Sequence, residues 1–283
     1  MTTEPFEIEK GEPEGIEPTS LVVRMGTAAL YGLAVLGSIF LGPLASGIVF
    51  GVMAGFCAAE FYAMERREAR LPNEVFGIVA AVAMPVAAAL FGMPGLSSIV
   101  TALIAASLFW HTLIRRTRTA DTAVTVFGAV YTGFLLAYIP LIIRTFSSGM
   151  ILALTLVVSV WVNDMSAYFI GSLVGRHKLA PHISPKKSWE GFLAGTAGTL
   201  AVWALAPLVP GFTLELGPAL LTGVAIAISS VFGDLAESRM KREAGVKDSG
   251  DSLPGHGGFL DRLDSLILVG LVAYWVLWWS GVR

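Results

Sequence analysis

Long apolar stretches alternate with short polar ones along almost the whole chain. A helix needs about 20 apolar residues to cross the hydrocarbon layer of a bilayer, each residue adding about 1.5 Å of rise. Nine stretches are candidates: roughly 22–41, 44–63, 75–91, 97–114, 123–143, 149–171, 192–209, 216–234 and 263–281. The third and seventh are short, and Pro85 and Pro207 are placed to kink them. Only "LGPLASG" separates the first two, the weakest of the breaks. No internal repeat is visible. The pattern predicts an all-α, polytopic integral membrane protein with about nine transmembrane helices.

Composition agrees. Hydrophobic residues make up 55% of the 283, and mean hydropathy is +0.72. Charged residues are 14%, against about a quarter in soluble domains. The net charge of −2 carries no nucleic-acid signal, and no such partner is expected. The single cysteine, Cys57, rules out a disulfide framework and a cysteine-based metal site. Residues 1–20 hold six glutamates and three prolines with little to bury, which predicts a disordered acidic tail. They lack the basic start and apolar run of a signal peptide. Residues 21–283 are read as one transmembrane catalytic domain.

Basic residues set the orientation. With the N-terminus in the cytoplasm, 17 of the 19 lysines and arginines fall on the inner side, leaving Arg144 and Arg283 outside. So lopsided a split follows the positive-inside rule. "YWVLWW" near the C-terminus suits an aromatic belt at the outer interface. The polar chemistry then collects in two long cytoplasmic loops, about 172–191 and 235–262, on the side where nucleotides are found.

The first of these, with the end of the sixth span, reads "NDMSAYFIGSLVGRHKLAPHISPKKSWEG", Asn163–Gly191. Lys186 and Lys187 serve either as positive-inside anchors or as a polyphosphate site, with Ser184 and Ser188 adding hydrogen bonds. Asp164 lies within a span, where a carboxylate costs at least about 2.5–3.5 kcal/mol and faces a cavity or a partner. Glu60, in the cytoplasmic half of the second span, either snorkels to the interface or takes part in function.

The second loop, "SSVFGDLAESRMKREAGVKDSGDSLPGHGGFLDRLDS", runs from Ser229 to Ser265. Asp234 ends the eighth span, while Asp261 and Asp264 begin the ninth on one helical face. Helix capping accounts for one acid there, not for a third arriving from another helix end. Hard divalent cations take oxygen ligands, one or two carboxylates together with substrate phosphates. Asp234, Asp261 and Asp264 are therefore the expected magnesium ligands, with Asp164 a further contributor. Lys241, Arg242, Lys247 and Arg262 are placed to neutralise phosphates, and "GHGG" offers backbone that can approach a ligand closely. His256 is either a phosphate contact or structural.

"SRMKREAGVKDSGDSLPGHGGFLDRLD", Ser238–Asp264, resembles the 27-residue signature of the phosphatidate cytidylyltransferases, or CDP-diacylglycerol synthases. Every element of that pattern is in place. "ND..AYFIG...GRHKL.P.ISPKKSWEG" is similar to the family too, with Met165 and Ser188 where Thr is usual. The resemblance is strong over 163–265; the earlier spans are similar only in hydropathy. It implies the reaction CTP + phosphatidic acid → CDP-diacylglycerol + pyrophosphate, a multi-helix membrane fold, metal dependence and a homodimer. A bacterial inner membrane, with the active site on its cytoplasmic side, is the expected location.

On this reading Lys247, Asp248, Asp261 and Asp264 form the catalytic group. Asp248 orients Lys247 or binds a second cation. Lys186, Lys187, Ser184, Ser188, Lys241, Arg242, His256 and Arg262 contact CTP. The nearest alternative is a CTP-dependent polyprenol or phytol kinase, which would transfer the γ-phosphoryl group. A transporter is the alternative from another class, although transporters place polar sites near the midplane of the bilayer and often show repeated halves.

Overall fold

A computed structural model describes residues 18–253 and 257–282, the side chains from Met25 onward. Most of the predicted tail, and His256, lie outside the described residues. The architecture is nearly all helix: α1 (Pro18–Phe40), α2 (Pro43–Arg67), α3 (Glu74–Leu113), α4 (Thr119–Ala129), α5 (Tyr138–Thr145), α6 (Gly149–Val174), α7 (Trp189–Leu205), α8 (Leu216–Glu243) and α9 (Leu260–Trp279). One small antiparallel hairpin, β1 (Lys178–Ala180) and β2 (Ser184–Ser188), departs from the all-α expectation.

The helices do not coincide with the nine predicted spans. α1 begins at Pro18, three residues inside the predicted tail, and the weak break after it is real: Gly42 takes φ 101° and Pro43 opens α2. The third and fourth predicted spans fall in one 40-residue element, α3. Its interruption is at Gly92 (φ 68°, ψ −151°), within the gap predicted between those two spans, and not at Pro85. Glycine enters that region without the Cβ clash that other residues meet, and Pro94 just beyond restrains the chain on the other side. The fifth span is α4 and α5, joined through a π-helical turn, Val130–Phe134, and bent by 42°. Pro207 sits in a 3₁₀ turn, Ala206–Leu208, that ends α7.

The two predicted loops also shrink. α8 runs nine residues past the predicted end of its span, and α6 and α7 close in on the hairpin. Among the described residues, the loops proper are 175–188, 244–253 and 257–259.

Among the described residues, five helices are long and apolar enough to cross a membrane: α2, α3, α6, α7 with its 3₁₀ turn, and α8. The bent α4–α5 pair makes a sixth if it is one span. α2 and α3 pack closely because Gly47, Gly51 and Gly55 form a small-residue stripe against Val82, Val86 and Ala89. Phe50, Phe61, Met84, Leu136, Ile139 and Ile142 fill the interior. Leu33, Phe91, Phe109, Leu193 and Leu208 stay on the outside, each more than 60% exposed. Water tolerates such a surface poorly, and lipid tolerates it well. The protein is an integral membrane protein.

Candidate active site

The acids that hydropathy exposes in the sequence assemble where α6, the hairpin, α8 and α9 meet. They form two clusters rather than one.

The first cluster surrounds Lys187. Its Nζ lies 2.6 Å from Asp234 Oδ2. Ser238, one turn further along α8, donates to Asp234 Oδ1 at 3.2 Å. Asp264 comes from the first turns of α9 and accepts from the backbone N–H of Ser265 at 2.6 Å. It lies within electrostatic reach of Asp234, Asp164 and Lys187. Asp164, exposed on α6, faces Asp234 and Lys187. The approach of α8 to α9 is set by Gly233: a Cβ there would fall 2.4 Å from the carbonyl oxygen of Asp264. No side chain fits between the two backbones at the point where they carry their carboxylates.

The hairpin decides which lysine joins. Successive strand residues point to opposite faces. Lys187 therefore turns inward to Asp234 while Lys186 is exposed on the other face. Ser188 is buried and caps α7, accepting from the N–H of Gly191 at 3.2 Å. Ser184 is half-buried at the start of β2.

The second cluster holds Asp261, which the sequence reading grouped with Asp234 and Asp264. Here the structure corrects the grouping. Asp261 Oδ1 accepts from Lys241 Nζ at 2.6 Å. Its Oδ2 accepts from the Ser249 N–H at 2.9 Å, the Ser249 hydroxyl at 3.0 Å and the Gly258 N–H at 2.9 Å. The first-turn position of Asp261 draws it to the loop amides ahead of the helix, as a capping carboxylate is drawn. Lys241 is thereby a structural ion-pair partner, since its Nζ also lies 2.6 Å from Glu237 Oε2. Gly257, at φ 80°, supplies the left-handed turn that brings the Gly258 amide round to Asp261.

Sequence reasoning missed one acid and left another undecided. Glu237 is fully buried on α8, and its Oε1 has no partner among the described residues. Its signal was present: an acid one helical turn before Lys241, in the i, i+4 order that favours an ion pair. Glu60, which the sequence left undecided, is buried against the loop before α9. Lys247, Asp248, Arg242 and Arg262 are exposed, with Arg242 Nη1 donating to the Val246 carbonyl at 3.0 Å.

The donor chemistry of the first cluster suits a hard divalent cation: three carboxyl groups gather at one ammonium and offer oxygen ligands. Among the described residues, no three acids or histidines already stand in a metal-binding arrangement. Lys187 is the cation that the carboxylates share in this structure.

A profile of the Cytidylyltransferase family matches residues 22–280. The chain belongs to that family. Relatives named "Phosphatidate cytidylyltransferase" match it from several bacteria. The Bacillus subtilis (strain 168) protein is 30% identical over 259 residues, 90% of this chain and 96% of the relative. The Staphylococcus haemolyticus (strain JCSC1435) protein is 40% identical over 164 residues, 57% of this chain. The Mycobacterium bovis (strain ATCC BAA-935 / AF2122/97) protein is 38% identical over 159 residues, 56% of this chain. These last two matches span 62% and 51% of the relatives' own lengths.

Proposed function

We propose that this protein is a phosphatidate cytidylyltransferase, converting CTP and phosphatidic acid into CDP-diacylglycerol and pyrophosphate, with residues 21–283 acting as one catalytic domain. The observation that carries the reading is the cluster of Asp164, Asp234 and Asp264 around Lys187, built in part by the signature segment. An oxygen of the lipid phosphate forms a bond to the α-phosphorus of CTP. The bond from that phosphorus to the bridging oxygen breaks, and pyrophosphate leaves with the electron pair. The lipid phosphate is already ionised near neutral pH, so no strong base is needed. The main barrier is repulsion between two anions, which positioning and charge neutralisation lower.

Asp234 and Asp264, with Asp164, are the groups suited to hold magnesium. Bound there, the ion would orient the triphosphate and stabilise the leaving group. Lys187 neutralises charge at the same point. Lys186, Lys247, Arg242 and Arg262, all exposed, are the triphosphate contacts on this reading, as is Ser184; His256, outside the described residues, keeps the role its sequence position suggests. Asp248 orients Lys247 or takes a second cation.

The test follows the label. Purified protein given phosphatidic acid and magnesium should place label from α-labelled CTP in the lipid fraction, while γ-label leaves as pyrophosphate. A kinase would mark a polyprenol or phytol from the γ position alone. A transporter would mark lipid from neither. Lipid labelled only from the γ position would defeat the proposal.

The nine-span topology, the bacterial inner membrane, the cytoplasmic site and a homodimer belong to the same reading. The charge asymmetry supports its orientation. With Cys57 replaced by Ala, a cysteine at the exposed position Ser147 should be labelled from outside the cell, and one at exposed Ser252 should not. Labelling of both from one side would overturn the orientation between them.

A further inference from the structure

Glu60 lies on α2, far in sequence from the signature segment, yet its carboxylate belongs to that segment. The residue is 6% exposed. Its Oε1 accepts from the N–H of Phe259 at 3.0 Å. Its Oε2 accepts from the N–H of Leu260 at 2.9 Å and from the hydroxyl of Ser249 at 2.8 Å. The loop is moulded around this carboxylate. A Cβ on Gly258 would fall 2.4 Å from Oε2 and 2.1 Å from Ser249 Oγ, and one on Gly250 would fall 3.1 Å from Glu60 Cδ. The neighbouring ring of Phe56, one turn earlier on α2, stacks on Phe259 with centroids 4.8 Å apart. A glutamate that merely snorkelled would keep its head in water. Glu60 has no such freedom.

Two N–H groups of the first turn of α9 thus end on a carboxylate from another helix. Every helix leaves such donors unsatisfied within itself, and a negative charge is favoured there. The Ser249 hydroxyl adds a second link. It stands 2.8 Å from Glu60 Oε2 and 3.0 Å from Asp261 Oδ2. One hydroxyl proton serves one of these carboxylates at a time, so any change at Glu60 is felt at Asp261.

We propose that Glu60 is a positioning residue that fastens Ser249 and the start of α9 to α2, holding Asp261 and the exposed Lys247–Asp248 pair in the geometry that nucleotidyl transfer requires. The proposal rests on the cytidylyl-transfer reading for its kinetic part. Its structural part stands without it.

The experiment uses the full chain, in detergent or liposomes, with Glu60→Gln, Ser249→Ala and the double variant. Glutamine keeps the size of Glu60 but turns an acceptor into a donor facing N–H groups. Amide hydrogen exchange is followed first, in the absence of substrate. Glu60→Gln should speed exchange of Phe259 and Leu260 by about tenfold or more, with peptides of the α2–α3 seam unchanged, since local opening follows the lost contacts. Turnover is measured next with CTP and phosphatidic acid. Expected is a fall in kcat of about tenfold or more with KM for the lipid held within about twofold, the range seen when a residue supporting a site is lost. The double variant should be no more than about twofold worse than Glu60→Gln, because both changes break one network.

Unchanged exchange at Phe259 and Leu260 would overturn the clamp. An altered lipid KM with an unaltered kcat, or effects that multiply in the double variant, would overturn the positioning role. If Glu60→Gln does not insert, Ser249→Ala carries the test alone: its exchange must rise in the same segment, and a wild-type profile sinks the idea. Wild-type protein without turnover on phosphatidic acid would defeat the transfer reading, while the exchange measurement would still decide the clamp.

Discussion

Asp264→Asn should remove turnover by at least about 100-fold, the scale of losing a group aimed at charge in a transition state. The asparagine keeps the shape of the side chain and its bond from the Ser265 N–H, so insertion and yield should match wild type. What disappears is one of the three carboxyl groups facing Lys187, and with it the charge it would carry toward a bound cation. A hard cation bound through carboxylates and phosphates depends on that charge. The loss should therefore be largest at limiting magnesium and should ease as magnesium is raised. Asp234→Asn should behave alike, with the added effect that Lys187 loses the carboxylate 2.6 Å from its ammonium. Near-wild-type rates for Asp264→Asn at limiting magnesium would remove Asp264 from the metal set. Asp261→Asn is instructive beside it. Asp261 is engaged by Lys241 and by loop amides, so its loss should act on the loop, and added magnesium should not restore the rate.

Lys241→Met should produce the largest loss of stability, about 3–5 kcal/mol, because it removes one partner of a buried charge group and strands the rest. The side chain of Lys241 is 11% exposed, that of Glu237 0% and that of Asp261 9%. One ammonium holds both carboxylates at 2.6 Å. The measurement is thermal unfolding of the purified protein. Glu237→Gln combined with Lys241→Met should recover part of the loss, since the amide needs no counter-charge in that interior. A Lys241→Met protein that melts as wild type does would show that the ion pair carries no weight. Recovery also separates the two explanations of any lost activity: a double variant that folds but turns over slowly places the defect in the loop that Asp261 holds.

Much of this site was legible in the sequence. The acids at Asp164, Asp234, Asp261 and Asp264 stand out because the surrounding chain is so apolar, and the signature segment points to the family. What the sequence could not give was their partition. The i, i+3 spacing puts Asp261 and Asp264 near one face of α9 but does not say which neighbour each one meets. Loop amides and Lys241 claim Asp261, while α6 and α8 claim Asp264. Glu60 was left undecided because its partners are the N–H groups of Phe259 and Leu260, which no side-chain pattern advertises.

The span boundaries failed for a different reason. Hydropathy reports where a chain leaves the bilayer, not where a helix ends. Residues 235–243, "LAESRMKRE", are polar, yet most are strong helix formers. α8 continues through them and delivers Glu237 and Lys241 to the site. Conversely, the break in α3 falls at Gly92, inside the gap that hydropathy left between the third and fourth spans, while the more conspicuous Pro85 stays within the helix.

The main-chain contact at Gly233 has a bearing on which ions the proposed magnesium site would accept. Asp234 and Asp264 ride on two backbones already touching, with no side chain between them to compress or swell. Their separation behaves as a gauge of nearly constant width. Asp164 stands on α6, outside that contact. If magnesium is held there as proposed, accommodation of a cation of another radius falls to α6, and tolerance for manganese or calcium in its place would report how freely that one helix can lean.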